Sequence, residues 1–250
     1  MDMTEIRIQV AEEVDRYLDA AVKNGLFTNK AEIARAALIQ YMSSINLMSR
    51  NYDDELVFSP EGRIYQLEYA RNAVIRSFTS VGISCKDGVL ICCGKPVPEK
   101  LQPLRTDTRK IFEIGERVIL TYSGLIADGN LVIDVIREAK PRNNMQLKES
   151  IRRAYRPFLY ERNKRPLGVG FLIGSLLEKP VIFYADPAGG ISEYKAAAMG
   201  SGADDATRLL ETKYREMTTV NAEKLAIEAL GETFRSTGNY ELRILKTQGS

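Results

Sequence analysis

Any chemistry in this chain must be done without histidine, because none of its 250 residues is one. That removes the commonest general base and the commonest metal ligand. The remaining candidates are carboxylates, lysines, hydroxyls, a chain-terminal amine and three cysteines, Cys85, Cys92 and Cys93. Their count is odd and two are adjacent, which argues against a disulfide framework. All three lie in apolar, strand-like runs, 81–86 and 89–93, and read as small buried side chains. No metal or cofactor is expected. Near the start, Glu5, Arg7 and Gln9 alternate with Ile6, Ile8 and Val10, a pattern that puts three polar groups on one face of a strand.

The rest of the chain must position these groups. Apolar residues make up 44% of it and charged residues 27%, with a net charge of only +2. The apolar share suffices for a sizeable core. The charge balance does not advertise nucleic acid, membrane or an acidic polymer. No apolar run approaches the roughly 20 residues of a membrane span. The first ten residues lack a signal-peptide core. The expectation is a soluble, cytoplasmic protein.

Residues 1–46 read as a unit of their own. After the alternating run at 4–10, Val14, Tyr17, Leu18, Ala21 and Val22 form one helical stripe. Asn24-Gly25 should end that helix. Thr28 and Asn29 offer cap oxygens to a second helix with an apolar stripe of Ile33, Ala37, Leu38, Tyr41, Met42 and Ile45. Strand, helix, glycine turn and helix in that order resemble the ribbon-helix-helix family. A lone strand leaves its backbone groups unpaired, so the resemblance implies that two copies pair. It also implies a DNA option, with Glu5, Arg7 and Gln9 toward base edges and Thr28, Asn29 and Lys30 holding a phosphate. Charge opposes that option. Residues 1–50 hold six Lys/Arg against seven Asp/Glu, a net −1, and phosphate neutralisation supplies most non-specific DNA affinity. The preferred reading of the arm is a dimerisation clasp.

Residues 47–57 read as a linker and gate-like segment, and 58–250 as one body. In the body, hairpins are predicted over 79–93, 111–121 and 167–184, helices over 127–138, 145–163, 203–216 and 221–235, and a last strand over 240–245. Strand pairs alternating with helix pairs suggest two antiparallel sheets between helical layers.

The most specific string is Phe58-Ser59-Pro60-Glu61-Gly62-Arg63-Ile64-Tyr65-Gln66-Leu67-Glu68-Tyr69-Ala70-Arg71. Physically it is a turn followed by an amphipathic helix. As a string it resembles the N-terminal signature of proteasome α subunits. Asp107-Thr108-Arg109-Lys110-Ile111, Ser123-Gly124-Leu125-Ile126-Ala127-Asp128, Arg165-Pro166-Leu167-Gly168-Val169, Ala185-Asp186-Pro187-Ala188-Gly189-Gly190 and Ala198-Met199-Gly200-Ser201-Gly202 agree with that family. The resemblance spans 52 to about 245 and implies an α+β, N-terminal-nucleophile αββα sandwich of four layers, behind the small arm.

Enzymes of that fold use the first residue of a processed chain as nucleophile and its own amine as base. In the family register Phe78 stands at the nucleophile and Gly94 at the acidic partner; only Lys110 matches. The resemblance therefore implies a non-catalytic subunit with no catalytic residue. Family α subunits form seven-membered rings that cap β rings, gate substrate entry and dock activators. By that resemblance Lys110 would meet an activator's terminal carboxylate, with Arg71, Leu125 and Ser77 (in place of the usual glycine) lining the pocket. Tyr52, Asp53, Pro60 and Tyr69 would form the gate cluster, although Asp54 stands where an arginine is usual. Expected partners are further copies of the chain in a ring or an arm dimer, β subunits and an ATPase activator, without membrane. The link at 137–144 is shorter than the family's, and the chain stops soon after Leu245, which suggests a divergent paralogue. The competing reading is a DNA-binding regulator that uses the body as an oligomerisation scaffold.

Overall fold

The computed structural model describes residues 7–44, 56–59, 61–96, 109–161 and 164–247. They fall into two compact units, Met1–Asp54 and Glu55–Ser250.

The first unit is a pair of helices, α1 (Glu12–Lys23) and α2 (Lys30–Ser44). Glu12, Glu13 and Asp15 in the first turn of α1 and Lys23 in its last turn oppose the helix dipole. The helix ends where expected, with Gly25 at a positive φ of 72° and its N–H donating to the Val22 carbonyl. Asn29 then caps α2: its Oδ1 accepts from the Glu32 N–H at 2.8 Å, and the Glu32 carboxylate accepts from the Thr28 N–H at 2.8 Å. Lys30 bridges the helices, its Nζ 2.7 Å from Asp15 and 2.8 Å from Asp19. No residue of α1 is buried; Tyr17 is 71% and Leu26 70% exposed. The expected strand differs. Residues 7–10 carry no regular structure, and 4–6 lie outside the described residues. No second strand pairs with them among the described residues of this unit.

The second unit opens with α3 (Tyr65–Ile75), then the hairpins β1 (Ser80–Cys85)/β2 (Gly88–Gly94) and β3 (Ile111–Ile114)/β4 (Val118–Gly124). Next come α4 (Ile126–Ala139), α5 (Asn144–Tyr160), β5 (Val169–Ser175), β6 (Val181–Ala185), β7 (Ile191–Tyr194) and β8 (Ala196–Met199). The end is α6 (Ala203–Lys213), α7 (Thr219–Ala229), α8 (Glu232–Thr237) and β9 (Tyr240–Lys246). The strands form a four-stranded sheet, β8-β1-β2-β9, and a five-stranded sheet, β3-β4-β5-β6-β7.

Every pairing is antiparallel, and the core lies in three slabs. Leu120, Phe171 and Phe183 meet Ile133 and Ile151 of α4 and α5. Val89, Ile91, Ile119, Leu172 and Ile182 fill the space between the sheets. Ile83 and Leu90 meet Leu210 and Leu225 of α6 and α7. This is the helix-sheet-sheet-helix order expected. The central strands are covered on both faces, so β2 and β5 read as unbroken apolar runs. Cys92 points into the helical slab and Cys93 into the slab between the sheets, as the two-residue period requires. All three thiols are free and buried. Burial pushes Cys85 and Cys93 up to about 12 and Cys92 up as well.

Two sequence expectations need correction. β7 and β8 lie outside the strands predicted from the sequence, yet β8 pairs with β1 and β7 with β6. The predicted helix 221–235 is two helices parted at Leu230-Gly231. Among the described residues no helix is long and apolar enough to cross a membrane.

Candidate functional site

The start of β1 is where this architecture could carry a nucleophile. Phe78 occupies the approach to it, 41% exposed. Its ring meets Phe234 of α8 edge-on, with centroids 5.9 Å apart and planes at 89°. Phe234 also covers Gly94, where an added Cβ would lie 2.5 Å from the ring. A carboxylate at 94 therefore has no room while Phe234 stays. Of the three positions expected for catalysis, one bears a phenyl ring, one bears no side chain, and Lys110 remains. The Lys110 N–H donates to Glu241 at 2.9 Å, and its Nζ lies 5.7 Å from the centre of the Tyr122 ring. Neither Phe78 nor Gly94 supplies a nucleophile or an acidic partner.

The four docking candidates are placed by different elements. Arg71, on α3, sends Nε and one terminal nitrogen to Asp186 Oδ2 at 3.1 and 3.0 Å. It acts as a tie to the turn after β6 rather than as a free cation. Ser77 follows α3. Its Oγ accepts from the Gly124 N–H at 2.6 Å and its carbonyl accepts from the Ser201 N–H at 2.8 Å. Ser77 thus joins α3, the end of β4 and the turn after β8. Gly124 itself has φ 122°, and a Cβ there would sit 2.0 Å from the Gly168 carbonyl oxygen, so this corner closes only around a glycine. Leu125 comes next; its N–H donates to the Gly168 carbonyl at 2.9 Å, while its side chain is 45% exposed. Leu125, Ser77 and Gly124 share one corner, with Lys110 entering β3 beside Tyr122 of β4.

Two further residues hold that corner. Asp128 of α4 is buried. Its carboxylate accepts from Arg165 at 2.7 and 2.9 Å and from the Gly168 N–H at 2.8 Å. Burial alone would raise its pKa. The Arg165 hydrogen bonds, the Gly168 N–H and the guanidinium charge outweigh burial and hold it below the usual carboxylate value. Asp186 is the second, receiving Arg71 and the Ala188 N–H. Asp128, Arg165 and Asp186 all stand in the strings noted in the sequence, and their co-occurrence was the available signal. Phe234 and Glu241 carried none, because their partners lie more than a hundred residues away in sequence.

Among the gate candidates, Tyr69 is exposed on α3; Tyr52, Asp53 and Pro60 lie outside the described residues. Among the DNA candidates, Glu5 also lies outside them, and Arg7 and Gln9 sit in the irregular segment before α1. Thr28, Asn29 and Lys30 do cluster at the start of α2, with their polar groups engaged. Asn29 and Thr28 are turned to Glu32, and Lys30 sits between two aspartates. Among the described residues no group of acidic and cysteine side chains is arranged to hold a metal ion.

Residues 52–73 match the N-terminal signature of A-type proteasome subunits, and residues 75–245 match the proteasome subunit family. A proteasome alpha subunit of Methanococcus maripaludis is 37% identical over 209 residues, covering 77% of this chain and 79% of the relative. That of Archaeoglobus fulgidus is 36% identical over 204 residues, covering 77% and 82%. That of Thermococcus sibiricus is 40% identical over 187 residues, covering 70% and 71%. With both signatures matched and Phe78 at the head of β1, the chain belongs to the proteasome alpha subunit family, whose members are the non-catalytic ring partners of the beta subunits.

Proposed function

We propose that this protein forms an alpha ring of a cytoplasmic proteasome core particle, gates substrate entry and receives an ATPase activator, and that its N-terminal arm clasps a second copy. Proteasome alpha subunits self-assemble into rings and pair with beta subunits. The observation that carries the finer reading is the corner around Ser77. There an exposed Leu125 side chain, the Lys110 cation and three tied chain segments make a firm apolar edge beside a positive charge. An activator tail ending in an apolar residue and a carboxylate fits such an edge. The Ser77 hydroxyl narrows it relative to a glycine. Support for the arm comes from α1, a helix with no buried side chain that needs a partner for its apolar stripe.

Native mass by light scattering, on the full chain and on a chain starting at Ser49, tests this. Ring-sized particles from the shortened chain, and double rings or larger from the full chain, are expected. A shortened chain that stays monomeric both by itself and with a beta subunit would sink the ring reading. A clasp that joins copies in pairs leaves one arm over in an odd-membered ring, so pairing across two rings is the expected arrangement. The DNA reading has little to draw on with Lys30 held by Asp15 and Asp19. A salt-dependent shift of labelled duplex, lost in Arg7→Ala, would restore it.

A further inference from the structure

At the far end of the sandwich from Ser77 lies a groove of about 550 Å³. It is framed by the β1–β2 turn, the β5–β6 turn, the step from β7 to β8 and the loop after α6. β1 runs six residues between the two ends, roughly 20 Å at strand rise, so this groove is separate from the docking corner. Its walls are bonded to one another. The Ser84 N–H donates to the Lys195 carbonyl at 2.7 Å and the Lys86 N–H to the Met217 carbonyl at 2.9 Å. Ser84 Oγ donates to the Pro180 carbonyl at 2.9 Å and the Tyr214 hydroxyl to the Ser84 carbonyl at 3.2 Å. The cleft is therefore built before any ligand arrives.

The charge on its rim is uneven. Lys86, Lys179 and Lys195 all line the groove and are exposed. No described residue forms an ion pair with any of them. Of the two carboxylates there, Glu193 is held by Lys148 at 2.6 Å, which leaves Glu216 to face three ammonium groups. Like charges gathered at one cleft repel one another and focus a positive field into it. The floor and side are apolar and aromatic: Pro180, Val181, Tyr214 and Tyr194, the last 46% exposed. Tyr194 ends β7, an edge strand whose only ladder partner among the described residues is β6, so free main-chain groups are close to the cleft.

We propose that this groove docks an extended acidic peptide segment of a partner protein, its carboxylates toward Lys86, Lys179 and Lys195 and its apolar side chains against Tyr194 and Tyr214. The volume suits a few residues of peptide, and the open edge of β7 suits an extended one. This inference does not depend on the docking corner or on the arm.

The test is fluorescence anisotropy of a dye-labelled hexaglutamate peptide against the full chain at low salt. Saturable binding is expected, about tenfold or more weaker in Lys86→Glu/Lys195→Glu and unchanged in Lys224→Glu, an exposed lysine on α7. Lys179→Glu by itself should weaken it by a smaller factor and guards against a folding defect in the double variant. Absence of saturable binding would overturn the proposal, as would equal binding by the double variant. Equal loss in Lys224→Glu would also overturn it, because binding would then follow total charge rather than the groove.

Discussion

At the scale of single residues, the lack of catalysis rests on contacts as well as on missing groups. Gly94 is empty because Phe234 fills the space a side chain would need. Gly94→Ala should lower stability by about 1–3 kcal/mol through overpacking. In a Phe234→Ala background that penalty should largely vanish, which a double-mutant cycle of denaturant unfolding would read. Asp128 gives a pH prediction. Its folded-state pKa is lowered, so its contribution is complete above the unfolded carboxylate value, about 3.9, and is lost as pH falls through the folded value. Asp128→Asn should therefore cost about 1–3 kcal/mol at neutral pH, and the gap to wild type should close below about pH 4. A gap that persists undiminished in acid would show that shape, not charge, is what matters. The cysteines follow from burial: with all three covered and pushed up, the folded protein should not react with an aromatic disulfide reagent at about pH 8, while the unfolded chain should react in full.

At the scale of elements, local signals are reliable where one residue or one short string carries the instruction. Asn24-Gly25 stops α1, and Asn29 with Glu32 starts α2. Asn29→Ala should cost about 1 kcal/mol, seen as lower helicity and a lower melting point of the arm unit. The elements whose local sequence misleads depend on neighbours. Ile191–Tyr194 and Ala196–Met199 are four residues each, too short to show a period, and become strands because β6 and β1 offer them edges. Residues 7–10 have a clear alternation and still form no strand, with no pairing partner among the described residues.

At the scale of the whole molecule, stability and assembly should separate. Every buried apolar residue among those described lies between Ala70 and Leu230, and none belongs to the arm. Deleting residues 1–48 should then change native mass while leaving the main thermal transition of the body within a few degrees. A collapse of that transition would mean that the arm completes the body's core. The proposed docking role of the Ser77 corner makes a second prediction at this scale. Lys110→Ala should abolish stimulation of an assembled core particle by an ATPase activator, without changing the particle's mass. Loss of the particle itself would reassign Lys110 to structure.

The amino-acid sequence by itself determined the layer order, the helix caps and the burial of the cysteines, since each depends on residue types at short spacing, while the missing nucleophile at Phe78 was read from the resemblance to the family. The strings around Arg71, Gly124, Arg165 and Asp186 were legible one at a time. That they meet as Arg71–Asp186, Asp128–Arg165 and Ser77–Gly124 was decided by the tertiary structure, because hydrogen bonds across 37 to 115 residues leave no periodic trace in the chain. The same holds for Phe234 over Gly94 and for the lysine-rimmed groove. Its walls come from four separate segments, and only packing of the two sheets brings their charges to one place.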